Sequence, residues 1–216
     1  MNEYISGSIT GIAVSIFGHP FDTLKTLSQS KNTNVLSLKK WYRVYNGIGF
    51  PLLGSFVIHS GMFGTNDYLY KKTQNHYISG FFTGAICSTV VTPFELYKVR
   101  AQNMLSLKIN PYTGFIPTIA RETVACSIYF GTYNLLRKHN TNILLAGGLS
   151  GWFSWLATYP IDVCKTRIQS HVAKDIKGAL SMGNLWKGFG YCSMRCFVAN
   201  SAGFYAYEKT LEYLKK

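Results

Sequence analysis

Apolar residues gather along this chain in six stretches of about 20–25 residues, roughly 4–28, 48–71, 77–101, 115–138, 143–168 and 189–213. Each has helical length and could cross ~30 Å of hydrocarbon. None is apolar all round, because charges and amides recur along one side. In a bilayer such helices turn their polar sides to a shared aqueous interior and their apolar sides to lipid. The pattern predicts an all-α membrane protein, a bundle of six helices lining a cavity.

The six stretches pair into three repeats. Pro20-Asp22-Lys25-Gln29, Pro93-Glu95-Lys98-Gln102 and Pro160-Asp162-Lys165-Gln169 carry the same spacing, near the ends of the first, third and fifth stretches. Gly7/Gly11, Gly80/Gly84 and Gly147/Gly151 keep step with the prolines. A fixed period of this kind marks one closed unit built from supersecondary pieces too small to fold alone. The chain therefore reads as a single domain, residues 1–216, with repeats at about 1–75, 76–141 and 142–216. The paired glycines have the spacing that lets membrane helices approach closely. Pro20, Pro93 and Pro160 should kink the odd helices, since each removes a hydrogen bond and crowds the preceding turn.

Composition changes this picture little. A hydrophobic share of 47% and a mean hydropathy of +0.06 are low for a membrane protein, as polar-lined helices require. The net charge of +13 would suit a nucleic-acid partner, but the bases form no stripe or tail and no nucleic-acid motif accompanies them. No nucleic-acid binding is expected. Cys87, Cys126, Cys164, Cys192 and Cys196 show no metal-ligand spacing, so neither zinc nor a disulfide is expected. No cofactor, nucleophile–base pair or phosphate loop is indicated, and the chain is not read as an enzyme. Residues 1–19 carry Glu3 and no basic leader, so the first stretch is expected in the mature protein. Lys31, Lys39, Lys40 and Arg43 in the first long connector, and Lys174, Lys177 and Lys187 in the third, place those connectors on the inner side and both termini on the other. The middle connector, 103–113, is short, and a connector helix there is expected to be cut to a turn.

An acid and a base three apart on each odd helix could form separate pairs worth ~0.2–0.5 kcal/mol each. They could instead close a ring: Asp22 with Lys98, Glu95 with Lys165, Asp162 with Lys25. Charges this deep in apolar segments favour the ring, because unpaired they are expensive. Desolvation offsets much of the attraction in such a ring, and near-balance is what a gate needs. Gln29, Gln102 and Gln169 lie one turn on and could hydrogen-bond across the pairs.

These triplicate motifs, followed by Tyr45-Asn46-Gly47, Tyr112-Thr113-Gly114 and Trp186-Lys187-Gly188, resemble the mitochondrial carrier family over nearly the whole chain. The resemblance implies six tilted transmembrane helices in three two-helix repeats around a central cavity with short matrix-side helices, a matrix salt-bridge gate, glutamine braces at Gln29, Gln102 and Gln169, and alternating access to one central site. It also implies an inner mitochondrial membrane protein with both termini on the intermembrane-space side, bound cardiolipin and a functional monomer. Abundant Asn, Lys, Ile and Tyr hint at an AT-rich genome, and in a virus or parasite the host's mitochondrion would be the destination. The family's second gate on the even helices is incomplete here. Asn66-Asp67-Tyr68-Leu69-Tyr70, the run from Tyr133 to Arg137, and Tyr207-Glu208-Lys209-Thr210-Leu211 each lack an ionic partner. Asp67 with Arg137 is the one full cytoplasmic pair expected, with Glu208 left over. The outer gate should be weak and the resting protein open to the cytosol.

Residues that break the threefold pattern inside the cavity are the candidate substrate readers. Seven after the even-helix glycines stand Gly54, Arg121 and Arg195, and one further on Ser55, Glu122 and Cys196. Twelve after them stand His59, Cys126 and Asn200, near the same face. The set suits a molecule with one carboxylate and one cationic end. Arg195 would take the carboxylate as a bidentate fork. Glu122 would attract the cation with Arg121 tuning it, or would merely neutralise Arg121. By resemblance an Arg-acid pair at this point belongs to the carnitine/acylcarnitine and basic amino-acid branch, and the expected activity is exchange of such a solute. A nucleotide carrier and a degenerate, non-transporting homologue are the alternatives.

Overall fold

The computed structural model describes residues 2–30 and 43–214, which form seven helices and no strand. They are α1 (Asn2–Gln29), α2 (Gly49–Thr73), α3 (His76–Gln102), α4 (Phe115–Lys138), α5 (Ile143–Gln169), α6 (Ile176–Ser181) and α7 (Phe189–Leu214). The six long helices match the six apolar stretches, and Pro20, Pro93 and Pro160 lie inside α1, α3 and α5. The short α6 occupies the third connector, capped by the Asp175 carboxylate, which accepts from Gly178 N at 2.7 Å. Among the described residues the middle connector holds only turns.

Local chemistry explains the starts and stops. Asn75 caps α3 by accepting from the backbone of Tyr77 and Ile78, directly after Gln74 turns left-handed (φ 53°) to end α2. The long even helices follow glycines with φ of 81°, 80° and 87° at Gly47, Gly114 and Gly188, a region that side-chain-bearing residues disfavour. Each glycine also sits against a neighbouring odd helix. A Cβ on Gly47 would come 3.2 Å from the Lys98 carbonyl, one on Gly114 2.9 Å from Gln169 Cγ, and one on Gly188 3.3 Å from the Lys25 carbonyl.

The distribution of polarity runs opposite to that of a protein folded in water. Thr23, Lys25, Gln29, Gln102, Arg121, Glu122, Asp162, Lys165 and Arg167 are buried, while Phe81, Phe82, Ile86, Trp152, Phe153 and Met194 are exposed. Buried hydroxyls are satisfied within their own helices, as with Thr83 to the Ser79 carbonyl (2.7 Å) and Thr158 to the Ser154 carbonyl (2.7 Å). Of the described helices, α3 is long and apolar enough by composition to cross a membrane. The small-residue spacing has two outcomes. Gly80 and Gly84 let α3 lie directly on the α4 backbone, whereas no described atom lies within 4 Å of a Cβ built on Gly147 or Gly151. Gly7 and Gly11 fall where side-chain surroundings are not described.

Candidate functional site

The three proline-containing helices bring their acids and bases together. Lys98 Nζ lies 2.7 Å from Asp22 Oδ2, Lys25 Nζ 2.7 Å from Asp162 Oδ2, and Lys165 Nζ 2.5 Å from Glu95 Oε2. These are the inter-helix pairings of the ring. One same-helix contact coexists with them, Lys165 to Asp162 Oδ1 at 3.6 Å. The local-pair alternative therefore describes only one of three helices.

The two candidate substrate arginines are drawn into the same network. Arg121 Nη2 stands 2.7 Å from Glu122 Oε1 and 3.2 Å from Glu95 Oε1, with its Nε 3.9 Å from Asp162 Oδ1. Arg195 Nε is 2.7 Å from Asp22 Oδ1, a charge contact without hydrogen-bond alignment. Arg121 is no open fork, since acids occupy it and a carboxylate ligand must compete for it, whereas the described acid contact of Arg195 is at Nε. Glu122 lies against Arg121, the neutralising alternative, and a cationic ligand must displace that arginine to reach it. The described network holds five cations (Lys25, Lys98, Lys165, Arg121, Arg195) against four acids (Asp22, Glu95, Glu122, Asp162), a net charge of +1.

The glutamines divide. Gln29 Nε2 donates to Asp162 Oδ2 and to Tyr159 Oη, both at 3.2 Å. Gln102 Nε2 donates to Thr23 Oγ1 at 3.1 Å, beside Asp22 rather than onto its ion pair. Gln169 is fully buried and neither amide atom has a partner. Gln29 meets the residue before the proline of α5, the long Tyr159, whereas the residue before the proline of α3 is the short Thr92, whose hydroxyl donates to the Ser88 carbonyl at 2.6 Å. Gln169 thus does not brace in this structure.

A family model for "Mitochondrial carrier protein" matches residues 136–183. Mitochondrial substrate carrier family protein S of Dictyostelium discoideum is 29% identical, over 99% of this chain and 98% of its own length. The mitochondrial arginine transporter BAC2 of Arabidopsis thaliana is 28% identical, over 98% of this chain and 91% of its own. The mitochondrial basic amino acids transporter of Rattus norvegicus is 29% identical, over 78% of this chain and 71% of its own. The chain is thus similar to mitochondrial carriers along nearly its whole length.

The expected outer pair does not form. Asp67 Oδ2 contacts Lys71 Nζ at 2.7 Å within α2, and Arg137 Nη1 donates to the Thr141 carbonyl at 2.8 Å. Asp67 and Lys71 side chains are 66% and 71% exposed, so a local i,i+4 pair in solvent wins over a distant partner on α4. Glu208 on α7, like Ser55 and His59 on α2 and Asn200 on α7, has its side chain outside the described residues.

Several residues of the site carry no motif. Trp155 lies beneath two cations, Lys25 Nζ 4.0 Å and Arg121 Cζ 5.2 Å from its ring centre. It stands seven residues before Asp162, two turns along the same face, and that spacing was its one available signal. His19 and Tyr159, each directly before a proline, reach the carbonyl directly before a glycine: His19 Nε2 to Asn46 O at 3.0 Å, Tyr159 Oη to Lys187 O at 3.1 Å. Aligning the repeats would have exposed that pairing. Ser30 Oγ and Asn103 Oδ1, 2.6 Å apart, join the ends of α1 and α3.

Proposed function

We propose that this chain is an alternating-access exchanger of the inner mitochondrial membrane for a small solute bearing a carboxylate and a cationic group. A basic amino acid is the first assignment, and carnitine or an acylcarnitine the second. The observation that carries the reading is the sharing of Arg121 and Arg195 between the level of the substrate and the acids of the ring. A substrate carboxylate that draws Arg195 away from Asp22 leaves Lys98 as the sole cation on that acid. Binding then weakens the ring from above, and the cost of opening falls only while substrate is present. The surplus of one positive charge favours a carboxylate-bearing ligand, and Trp155 with Glu122 offers the other end a cation-attracting wall.

Polar residues inside and large apolar side chains outside suit six membrane-spanning helices with lipid as the outer solvent. A closed ring at one end and separated Asp67 and Arg137 at the other suit a state open to the cytosol, with Asp22, Lys25, Glu95, Lys98, Asp162 and Lys165 as the matrix gate. Both termini then face the intermembrane space, and the basic connectors face matrix-side cardiolipin. Names of relatives support the first substrate assignment, since two are described as transporters of arginine or basic amino acids. Uptake into proteoliposomes preloaded with arginine, lysine, carnitine, acylcarnitine or ATP, one at a time, tests the reading. Counter-exchange restricted to arginine and lysine supports the first assignment. Exchange of ATP alone would sink it and make the positive field the selector, and exchange of nothing would leave a degenerate carrier.

A further inference from the structure

The long helices share their surfaces unevenly. α2, α3, α4 and α5 lie each along the next, and α7 lies along α1. Where the start of α3 meets the end of α4, the two helices come close. Ser127 Oγ donates to the Tyr77 carbonyl at 2.9 Å, and a Cβ on Gly131 would overlap the Tyr77 ring. That ring therefore lies in the notch that Gly131 leaves in α4. Tyr77, Ile78, Phe81 and Phe82 are each about half exposed. With Ser127 they line a surface cavity of about 350 Å³. This volume falls in the ~300–1,000 Å³ range of small-molecule pockets. Its walls are apolar, since the Ser127 hydroxyl is already bonded to the main chain. The ring residue Glu95 stands about 20 Å further along α3 from Phe82, at 1.5 Å per residue, so the cavity belongs to the other end of the bundle.

The rim of this groove is positive. Ser127 and Lys138 are eleven residues apart, about three turns, so they and Gly131 fall on one stripe of α4. Lys138 stands over the groove, about 10 Å along the helix from Gly131, and is exposed. His76, the first residue of α3, is stacked on Tyr70 with ring centres 3.9 Å apart and lies close enough to Lys138 for their charges to interact. Along residues 61–82 and 127–141 stand Lys71, Lys72, Arg137 and Lys138 against the single acid Asp67. Lys71 holds that acid at 2.7 Å, Lys72 Nζ lies over the Tyr68 ring, and Arg137 donates to the Thr141 carbonyl. A lysine in the last turn of a helix has an ordinary reason to be there, the partial negative charge of the carbonyl end. That reason fixes the turn and not the stripe, and it does not set the lysine above an apolar cavity.

We propose that this groove holds one anionic phospholipid of the leaflet opposite the ring, with its phosphate at Lys138 beside His76 and one acyl chain along Tyr77, Ile78, Phe81 and Phe82. The proposal rests on the membrane reading above and adds a lipid at the end away from the basic connectors. Charge complementarity selects the occupant. A zwitterionic headgroup brings no net charge to a rim of four cations and one acid, and a sterol would fill the cavity but leave Lys138 without a partner. A second copy of this chain, docked through the same patch, would set those cations against their own copies.

Two photoactivatable lipids test the site in phosphatidylcholine vesicles carrying the full chain: phosphatidylglycerol and phosphatidylcholine, each with a diazirine on one acyl chain. Mass spectrometry locates the labelled peptides. The expected result is that the phosphatidylglycerol probe labels 77–82 and 127–135 well above the exposed apolar surface at 149–153, while the phosphatidylcholine probe labels both alike. Lys138→Gln should lower phosphatidylglycerol labelling of the groove about fivefold, the factor that one basic residue contributes at an anionic lipid surface. Labelling at 149–153 should stay unchanged, and Lys138→Arg should restore the groove. Even labelling by both probes, or a Lys138→Gln variant that loses labelling at both places or at neither, overturns the site. A crosslinked dimer joined through 77–82 overturns it too, in favour of a second copy. Arginine uptake is measured on the same vesicles. Labelling as expected without uptake sinks the transport reading alone, and uptake with even labelling sinks only the lipid site. A chain that neither probe labels does not sit in the bilayer, and both readings end there.

Discussion

Asp22 and Lys98 form one ion pair, yet their removal should not be equivalent. The Asp22 carboxylate stands 2.7 Å from both Lys98 Nζ and Arg195 Nε. Asp22→Asn strands two partly buried cations, a loss in the range of about 3–5 kcal/mol for a broken buried pair. Lys98→Met leaves Asp22 with Arg195, so roughly one charged contact is lost, about 1.5–3 kcal/mol. The side chains of Lys98, Asp22 and Arg195 keep 22%, 16% and 29% of their exposure, which puts both losses at the lower ends of those ranges. For a chain of this size, 1 kcal/mol moves Tm by roughly 2–4 °C. The expected falls are therefore about 6–12 °C for Asp22→Asn and about 3–6 °C for Lys98→Met. A thiol-reactive fluorophore reads both during a thermal ramp in detergent, since Cys87, Cys126, Cys164 and Cys192 are buried until the fold opens. Equal falls, or a larger one for Lys98→Met, would show that Arg195 does not hold Asp22, and the link between substrate site and ring would fail with it.

Gly84→Val should lower Tm by at least about 5 °C, as overpacking a close contact costs about 1–3 kcal/mol or more, whereas Gly151→Val should move it by less than about 2 °C; the same thermal ramp checks both. Gln169→Leu removes a buried amide without partners and should be neutral or stabilising, while Gln29→Leu breaks two hydrogen bonds, one to a carboxylate, and should cost about 1.5–3 kcal/mol by denaturation. Arg195→Ala should abolish uptake, and Glu122→Gln should reduce uptake of cationic solutes at least tenfold while sparing purely anionic ones. Equal loss for both solute classes in Glu122→Gln liposomes would remove Glu122 from substrate reading.

What the residues foretold follows their physics. The six long helices were legible because apolar length with one-sided polarity leaves few alternatives, and the members of the ring because an acid–base spacing repeated on three helices can close a cycle, whereas the sense in which it closes is set by the packing. The Asp67–Arg137 pair was misjudged because sequence spacing does not show whether two helix ends are near each other, and Lys71 stood closer on the same helix. Gln169 was expected to brace because its register is sound, but its fate depends on the length of the residue at 92. Occupation of Arg121 and Arg195 by ring acids depends on side-chain reach and burial, which registers do not encode. Trp155 went unassigned because a tryptophan at helical spacing has many ordinary reasons to be there.

The pairing of α1 with α7 also sets an order of assembly. The neighbours of α2, α3, α4 and α5 lie next to them in the chain, so those helices can settle as they are made, whereas α1 must wait for the last of the long helices before its broad face is covered. Until then Gly18 and Asp22 on α1 lack the Ala199 and Arg195 of α7 that cover them, and the newborn chain carries a helix with its broad face unpacked. Synthesis halted after α5 should therefore yield a packed four-helix fragment with a first helix held only through its ion pairs and amides.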